Sequence, residues 1–388
     1  MAEAPDPLDL IGIDALLSDE ERQIRDLARR WVVDRILPEV EDWYELGEFP
    51  ARELATELGK LGFLGMQLPE IGGLGAVAYG LVELELQAGD SGLRSFVSVT
   101  SALAMFAIHS FGSDEQKAEW LPKLQSGEAI GCFGLSEPDS GSDPSSMRTF
   151  AKRDGDDWVL NGTKMWITNG SVSDVAIVWA NTDDGIRGFA VPCDTPGFSA
   201  PDIHKKLSLR ASVTSELVME DVRLPAGSML PGVKGLRGPL SCLNEARFGI
   251  IWGVMGAARA CFESSLEYSK TRIQFDRPIG SFQLTQKKLT DMALELNKGT
   301  LLAYHLGRMK EEGRLLAQHV SVGKLNNTRA ALEIARTSRG IHGANGITLE
   351  YPIMRHMTNL ESVITYEGTE EVHTLVIGEA LTGLRAFT

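Results

Sequence analysis

The residue patterns along the chain predict an α+β multidomain protein: an N-terminal helical domain, a middle antiparallel β-domain and a C-terminal four-helix bundle. Two capping boxes, Ser18 to Glu21 and Ser113 to Gln116, open helices within residues 1–129. A turn-rich loop followed by short β-branched and aromatic runs occupies residues 130–238. Over residues 239–388 the 3.6-residue apolar period returns in segments long enough for a bundle.

In the first domain, Ile24, Leu27, Ala28, Trp31 and Val32 follow Ser18 at helical spacing, and Pro38 ends the run. Further helices are expected over about 51–61, 79–88, 91–111 and 117–124. In the second, strand-like segments fall at Trp158–Leu160, Lys164–Thr168, Val175–Ala180, Arg187–Val191 and Glu216–Leu224. Asn161-Gly162, between two of them, reads as a hairpin turn. In the third, helices are expected from 240 to about 272, 284–312 and 317–340, with a closing helix from about Thr369.

The 388 residues are 43% hydrophobic and 23% charged, the composition of an ordinary soluble globular protein. A formal net charge of −15 argues against nucleic acid and against anionic membrane surfaces. The four cysteines lack metal-ligand spacing, so no metal is expected, and they read as reduced thiols of a cytoplasmic protein. The N-terminus carries no basic region followed by an apolar run, so no secretory signal is expected. Residues 95–113 lack Asp, Glu, Lys and Arg, but their serines and histidine point to a buried core helix and no membrane insertion.

Several constellations are suited to chemistry. In Val363 to His373, Glu367 stands just before Gly368, and Thr369 opens a helix. Taken alone, this glutamate reads as a cap; a carboxylate fixed and shielded at such a junction also suits a base. The loop Phe133 to Asp143, with Leu135, Ser136, Gly141 and Ser142, joins the helical and β-segments, a usual place for a ligand cleft. Trp166 and Thr168 lie two apart on one strand face, fit to pack on a planar ring and donate to it. Arg272 to Gly280 and Gln283 place basic and amide groups at an interhelical turn, suited to a pyrophosphate or ribose. Gly340 to Gly346 is a glycine-rich turn without the spacing of a dinucleotide fingerprint. Arg94 lies in the first turn of an otherwise uncharged helix, where burial requires an anion; pairing with Asp90 is the plainer reading.

Taken in order, SEPDSGSD, KMWITN, RIQFDRPI, the glycine turn at 340–346 and YEGT make the chain resemble the acyl-CoA dehydrogenases over nearly its whole length. DSGLRS, CFGLSEPDSGSDPSSM, SLRAS and CLNEARFG are most similar to the glutaryl-CoA dehydrogenase branch. The resemblance implies a homotetramer that binds FAD and takes an acyl-CoA substrate, with electron-transfer flavoprotein as acceptor. Phe133, Leu135, Ser136, Gly141, Ser142, Trp166 and Thr168 would contact FAD. Arg272, Phe275 and Gln283 would hold its adenine dinucleotide part, with Gly340, Ile341, His342, Gly343 and Ala344 across an interface. Thr369 and Glu371 would add contacts. Ser95, Ser142, Leu240, Asn244, Arg247, Tyr366 and Gly368 would line the acyl-CoA channel.

By the same resemblance, Glu367 would remove the α-proton of the thioester, with the enolate oxygen held by its main-chain N–H and a flavin hydroxyl. The β-hydrogen would leave as hydride to the flavin. Arg94 would bind the distal carboxylate of glutaryl-CoA, which is then lost as CO₂ to give crotonyl-CoA. The alternative is a short- or branched-chain acyl-CoA dehydrogenase that does not decarboxylate. Gln87 departs from the glutamate common in the branch.

Overall fold

A computed structural model describes residues 6–386. The expected absence of a leader falls partly on residues 1–5, outside that range. The N-terminal helices are α1 (Asp19–Trp31), α2 (Val40–Leu46), α3 (Ala51–Leu61), α4 (Ala76–Gly89), α5 (Ser91–Ser98), α6 (Phe106–Phe111) and α7 (Asp114–Ser126). A π-helical stretch, Val99–Met105, joins α5 to α6. Both capping boxes form: the Ser18 and Ser113 hydroxyls accept from the N–H groups of Glu21 and Gln116, whose side chains accept from the cap N–H groups in return. The helix Ser91–Phe111 is long and apolar enough to cross a membrane, yet 94% of its apolar window is buried within the protein.

The β-segment comprises β1 (Gly131–Gly134), β2 (Phe150–Asp154), β3 (Asp157–Thr168), β4 (Val175–Thr182), β5 (Gly185–Pro192), β6 (Phe198–Ser199) and β7 (Thr214–Leu224). Pairing is antiparallel along β2–β3–β7–β6 and between β4 and β5, as expected. The sheet is nevertheless mixed, because β1 pairs parallel with β4 and the start of β2 meets β4 in parallel.

The expected hairpin at Asn161-Gly162 is absent. β3 runs straight through both residues, and its register against β7 slips between Leu160 and Gly162. Gly162 takes φ 143° there, beside Asp221 at φ 50° on the partner strand. The turn lies earlier, at Gly155-Asp156, between the paired Asp154 and Asp157.

The C-terminal helices are α8 (Arg237–Thr271), α9 (Gln283–Glu311), α10 (Ala317–His342), α11 (Ile353–Val363) and α12 (Glu370–Thr382), with a small hairpin of β8 (Ile273–Gln274) and β9 (Arg277–Pro278) after α8. Four of these are the expected bundle helices. α11 is an addition, ending at Val363.

One core joins the first and last helical segments, with Leu54, Tyr79, Leu81, Val82 and Phe96 packed among Phe248, Trp252, Met255, Leu306 and Leu332. A second core packs Met105, Ile108 and Trp120 against Phe133, Ile177 and Trp179 of the sheet and Cys242 and Ala246 of α8. Both cores run along α8, which therefore touches all three segments. Close packing of α4 on α8 is set by glycine: a Cβ on Gly256 would stand 1.8 Å from the Leu84 carbonyl oxygen.

Candidate active site

Between α11 and α12 the chain turns through Tyr366, Glu367 and Gly368. Glu367 has φ 52° and Gly368 φ 96°. The left-handed conformation costs a non-glycine residue roughly 1–2 kcal/mol, so something must hold it. Two cations do. Lys324 Nζ of α10 donates to the carbonyls of Tyr366 and Gly368, both at 2.7 Å. Arg247 Nε of α8 donates to the carbonyl of Glu367 at 2.6 Å. Gly368 is required by close approach as well as by φ, since a Cβ would lie 2.9 Å from His373 Nε2. Thr369 then caps α12, its hydroxyl accepting from Val372 N–H at 3.3 Å.

This scaffold leaves the Glu367 carboxyl free. The residue as a whole is half-buried, but Oε2 is shut off from solvent and has no hydrogen-bond partner among the described residues. Burial pushes its pKa above the ordinary glutamate value, against the opposing pull of Arg94, Lys324 and Arg247. The capping function belongs to Thr369, so the carboxyl is available for proton transfer.

Arg94 is fully buried. Its Nη2 donates to Ser95 Oγ at 3.0 Å and to the Tyr366 hydroxyl, and the guanidinium lies 5.7 Å from the centre of the Tyr366 ring. The plainer expectation, pairing with Asp90, fails. Asp90 caps α5 by accepting from Gly92 N–H at 2.6 Å, and its carboxylate is taken by Arg355 at 2.6 Å and Asn359 at 3.0 Å. Arg94 Nε and Nη1 are left without partners. A buried guanidinium with free donors is costly to keep and matches a carboxylate that enters from outside.

Among the predicted channel residues, the structure joins Arg94, Ser95, Tyr366, Glu367, Gly368, Asn244 and Arg247. Asn244 Oδ1 accepts from Arg247 Nη1 at 3.2 Å. Leu240 lies one turn earlier on α8 and is exposed. Ser142, on an exposed loop, makes no hydrogen bond to this cluster. Lys324, Tyr79 and Glu83 were not anticipated. The available signal was a charge on a helix face with no polar side: every residue of α4 is buried, and Lys324 lies among buried Val320, Ser321, Asn327 and Thr328.

The residues assigned to the flavin form two groups. In the first, the loop 136–143 is pinned by the buried Glu137, which accepts from Arg148 N–H at 2.6 Å, Thr149 N–H at 3.0 Å and Lys164 Nζ at 2.8 Å. Burial pulls Lys164 down to about 8. A second slip in β3 between Lys164 and Ile167 falls at Trp166, which takes φ 64° and is 62% exposed. Among the described residues the Ser136, Ser142 and Thr168 hydroxyls make no hydrogen bonds, and Gly141 has open space around it. The side chains of Phe133 and Leu135 instead lie in the second core, Phe133 with its ring 5.7 Å from that of Trp179. Only their main chain remains for a ligand.

The second group lies at the far end of the bundle. Arg272, Phe275 and Gln283 are all exposed, Phe275 by 87%, at φ 51°. His342 is buried and stacks on Tyr268 with ring centres 4.3 Å apart, fixing the turn of Gly340, Ile341, Gly343 and Ala344 beside the end of α8. Glu371 is exposed in the first turn of α12. Among the described residues, no hydrogen bond or ring contact joins the two groups within one chain.

Sequence profiles described as the N-terminal, middle and C-terminal domains of acyl-CoA dehydrogenase match residues 18–128, 132–222 and 233–382. The mitochondrial short-chain specific acyl-CoA dehydrogenase of Homo sapiens is 37% identical, over 85% of this chain and 82% of that one. The chain belongs to the acyl-CoA dehydrogenase family. Among solved structures, a glutaryl-CoA dehydrogenase from Mycobacterium smegmatis superposes on this acyl-CoA dehydrogenase with a TM-score of 0.98 at 65% identity, covering 99% of this chain and 100% of that one. Another from the same organism, in complex with FADH2, gives 0.98 at 58% identity with the same coverage. An isoalloxazine fits the first group here: an outward indole face, hydroxyls without partners and an open glycine are what a planar ring edged with acceptors needs.

Proposed function

We propose that this acyl-CoA dehydrogenase oxidises glutaryl-CoA and decarboxylates it to crotonyl-CoA and CO₂. The observation that carries the reading is Arg94, fully buried beside the Glu367 loop with two unused donors. A monocarboxylic acyl chain leaves them unpaired; a distal carboxylate fills them. The resemblance to the glutaryl-CoA dehydrogenases of Mycobacterium smegmatis supports the same substrate.

FAD is the cofactor, and when bound it supplies the hydride acceptor for the substrate's β-carbon. Ser136, Trp166 and Thr168 would hold its ring system, with the main chain at Phe133 and Leu135 alongside. Glu367 takes the α-proton, and its burial makes it a stronger base than an exposed glutamate. Arg247 and Lys324 keep the loop main chain rigid, so that the Glu367 N–H remains free to donate to the developing enolate oxygen. Arg94, with Tyr366 and Ser95 fixing its guanidinium, binds the distal carboxylate until the C–C bond breaks. That bond's electron pair passes into the enoyl thioester as a dienolate, and protonation yields crotonyl-CoA.

The separation of the two flavin groups supports a homotetramer in which a neighbouring copy's 340–344 turn completes the adenine end of the site. Exposed Leu294 and Leu301, two turns apart on α9, suit such a contact. Electron-transfer flavoprotein is the proposed acceptor, domain boundaries are placed at 129/130 and 238/239, and the free thiols fit a cytoplasmic enzyme without membrane insertion. Product analysis tests the reading: glutaryl-CoA should give crotonyl-CoA and CO₂, and release of glutaconyl-CoA alone would remove the decarboxylation step.

A further inference from the structure

The face of α4 nearest Arg94 carries Tyr79, Glu83 and Gln87, spaced one turn apart on a helix with no exposed residue. Opposite them α8 presents glycines. A Cβ at Gly249 would stand 2.8 Å from the Tyr79 hydroxyl and 3.0 Å from Glu83 Oε2; one at Gly253 would stand 2.3 Å from Gln87 Oε1 and 3.2 Å from Arg94 Cδ. These missing side chains leave the room that the polar groups occupy. Neither oxygen of Glu83 has a hydrogen-bond partner, nor do the Tyr79 hydroxyl, Gln87 Oε1, Arg94 Nε or Arg94 Nη1. Gln87 turns its amide away, Nε2 donating to Ser91 Oγ at 3.1 Å. Glu83 is thus a fully buried carboxyl without a hydrogen-bond partner, within electrostatic reach of the Arg94 guanidinium, as is Glu367.

The charged and titratable groups around it come from every neighbouring element: Tyr79 on α4, Arg94 on α5, Glu245 and Arg247 on α8, Lys324 on α10, and Tyr366 and Glu367 in the loop. Glu245 is neutralised by Lys310 of α9. One guanidinium in a dry pocket does not stabilise two carboxylates equally, so Glu83 and a substrate carboxylate compete for it. We propose that Glu83 is a second specificity-determining residue of this site, acting through Arg94: it carries a proton while a dicarboxylic acyl chain is bound, and when ionised it cancels the Arg94 charge and admits uncharged chains instead. The proton is taken from solvent and returned on release; no bond but the carboxyl O–H is made or broken. Burial pushes Glu83 up to about 8, with Arg94 opposing and Glu367 adding to the rise, which puts the exchange within reach of an assay.

The inference rests on the glutaryl-CoA reading, and butyryl-CoA separates the two. The flavin-loaded enzyme is assayed with both substrates from about pH 7 to about pH 9.5, in wild type, Glu83→Gln, Glu83→Leu and Glu83→Asp. In wild type the glutaryl-to-butyryl ratio of kcat/KM should fall about tenfold or more, through KM for glutaryl-CoA, because the protonated fraction drops tenfold per pH unit above the pKa. The ratio should stay flat in the Gln and Leu variants and still fall in the Asp variant. Contributions from Glu367, Lys324 and Arg247 are common to both substrates and cancel in the ratio. A flat ratio in wild type, or an equal fall in Glu83→Gln, overturns the inference while leaving glutaryl-CoA as substrate. Turnover of butyryl-CoA with none of glutaryl-CoA at any pH overturns the substrate reading itself, and this inference with it.

Discussion

Glu367 combines two properties that oppose each other in water: it is a better base than an ordinary glutamate, and it lies within range of three cations. Burial outweighs them and raises its pKa. The base form therefore requires a pH above that raised value, so kcat/KM should fall on acidification at a pH higher than the 4.5 of a free glutamate. Replacing it with an isosteric amide, Glu367→Gln, should preserve flavin content and lower turnover by about 10³-fold or more, read as flavin bleaching under substrate. Full activity in that variant would return the residue to a purely structural role. Arg94 belongs to the same scale. Arg94→Ala should reduce kcat/KM for glutaryl-CoA by about 10²-fold or more, since a site built for a charged group loses its discrimination when the partner is removed. Butyryl-CoA should change far less, and equal losses for the two would count against a carboxylate-binding role.

Among the elements, what could be read from sequence was what depends on neighbours a few residues away. Ser18 and Ser113 announced their helices because a capping box is complete within four residues. Asn161-Gly162 misled for the same reason: the dipeptide favours a two-residue turn, but β7 pairs with β3 on both sides of it, Gly162 opposite Met219, and takes up the register slip with an extra residue of its own at Glu220-Asp221. α11 escaped notice because much of its buried face is polar: Arg355 and Asn359 bond partners distant in sequence, and His356 is buried beside them. Within the candidate site, Glu367 and Arg94 could be singled out from their sequence context, whereas Lys324 and Glu83 acquire meaning only when α4, α8 and α10 meet. The α4–α8 contact carries its own prediction. Gly256→Ala would drive a methyl group into the Leu84 carbonyl and should cost about 1–3 kcal/mol, measured as a lowered Tm. Gly378→Ala, where nothing lies within 4 Å of a Cβ, should be neutral or stabilising and serves as the control.

For the molecule as a whole, the residues proposed to hold the flavin fall in two separate groups on a single chain, one beside β3 and one at the bundle's end. Assembly and cofactor retention should therefore fail together. Leu294→Asp with Leu301→Asp, placing charges on the exposed apolar row of α9, should shift the protein to smaller species in size-exclusion chromatography and release flavin in the same fractions. A smaller species that keeps its flavin would show that one chain suffices.

The core shared by the first and last helical segments also bears on how the protein is made. α4 has no exposed residue, and its cover, α8, is synthesised only after the entire sheet. Glu85 of α4 is ion-paired with Arg259 at 2.6 Å, a partner 174 residues downstream. The first helices must therefore wait as an incomplete layer exposing apolar surface, while the sheet, whose strand pairings close among themselves, is free to form first. Nascent chains stalled before residue 237 should present that layer to chaperones, and those released after α8 should not.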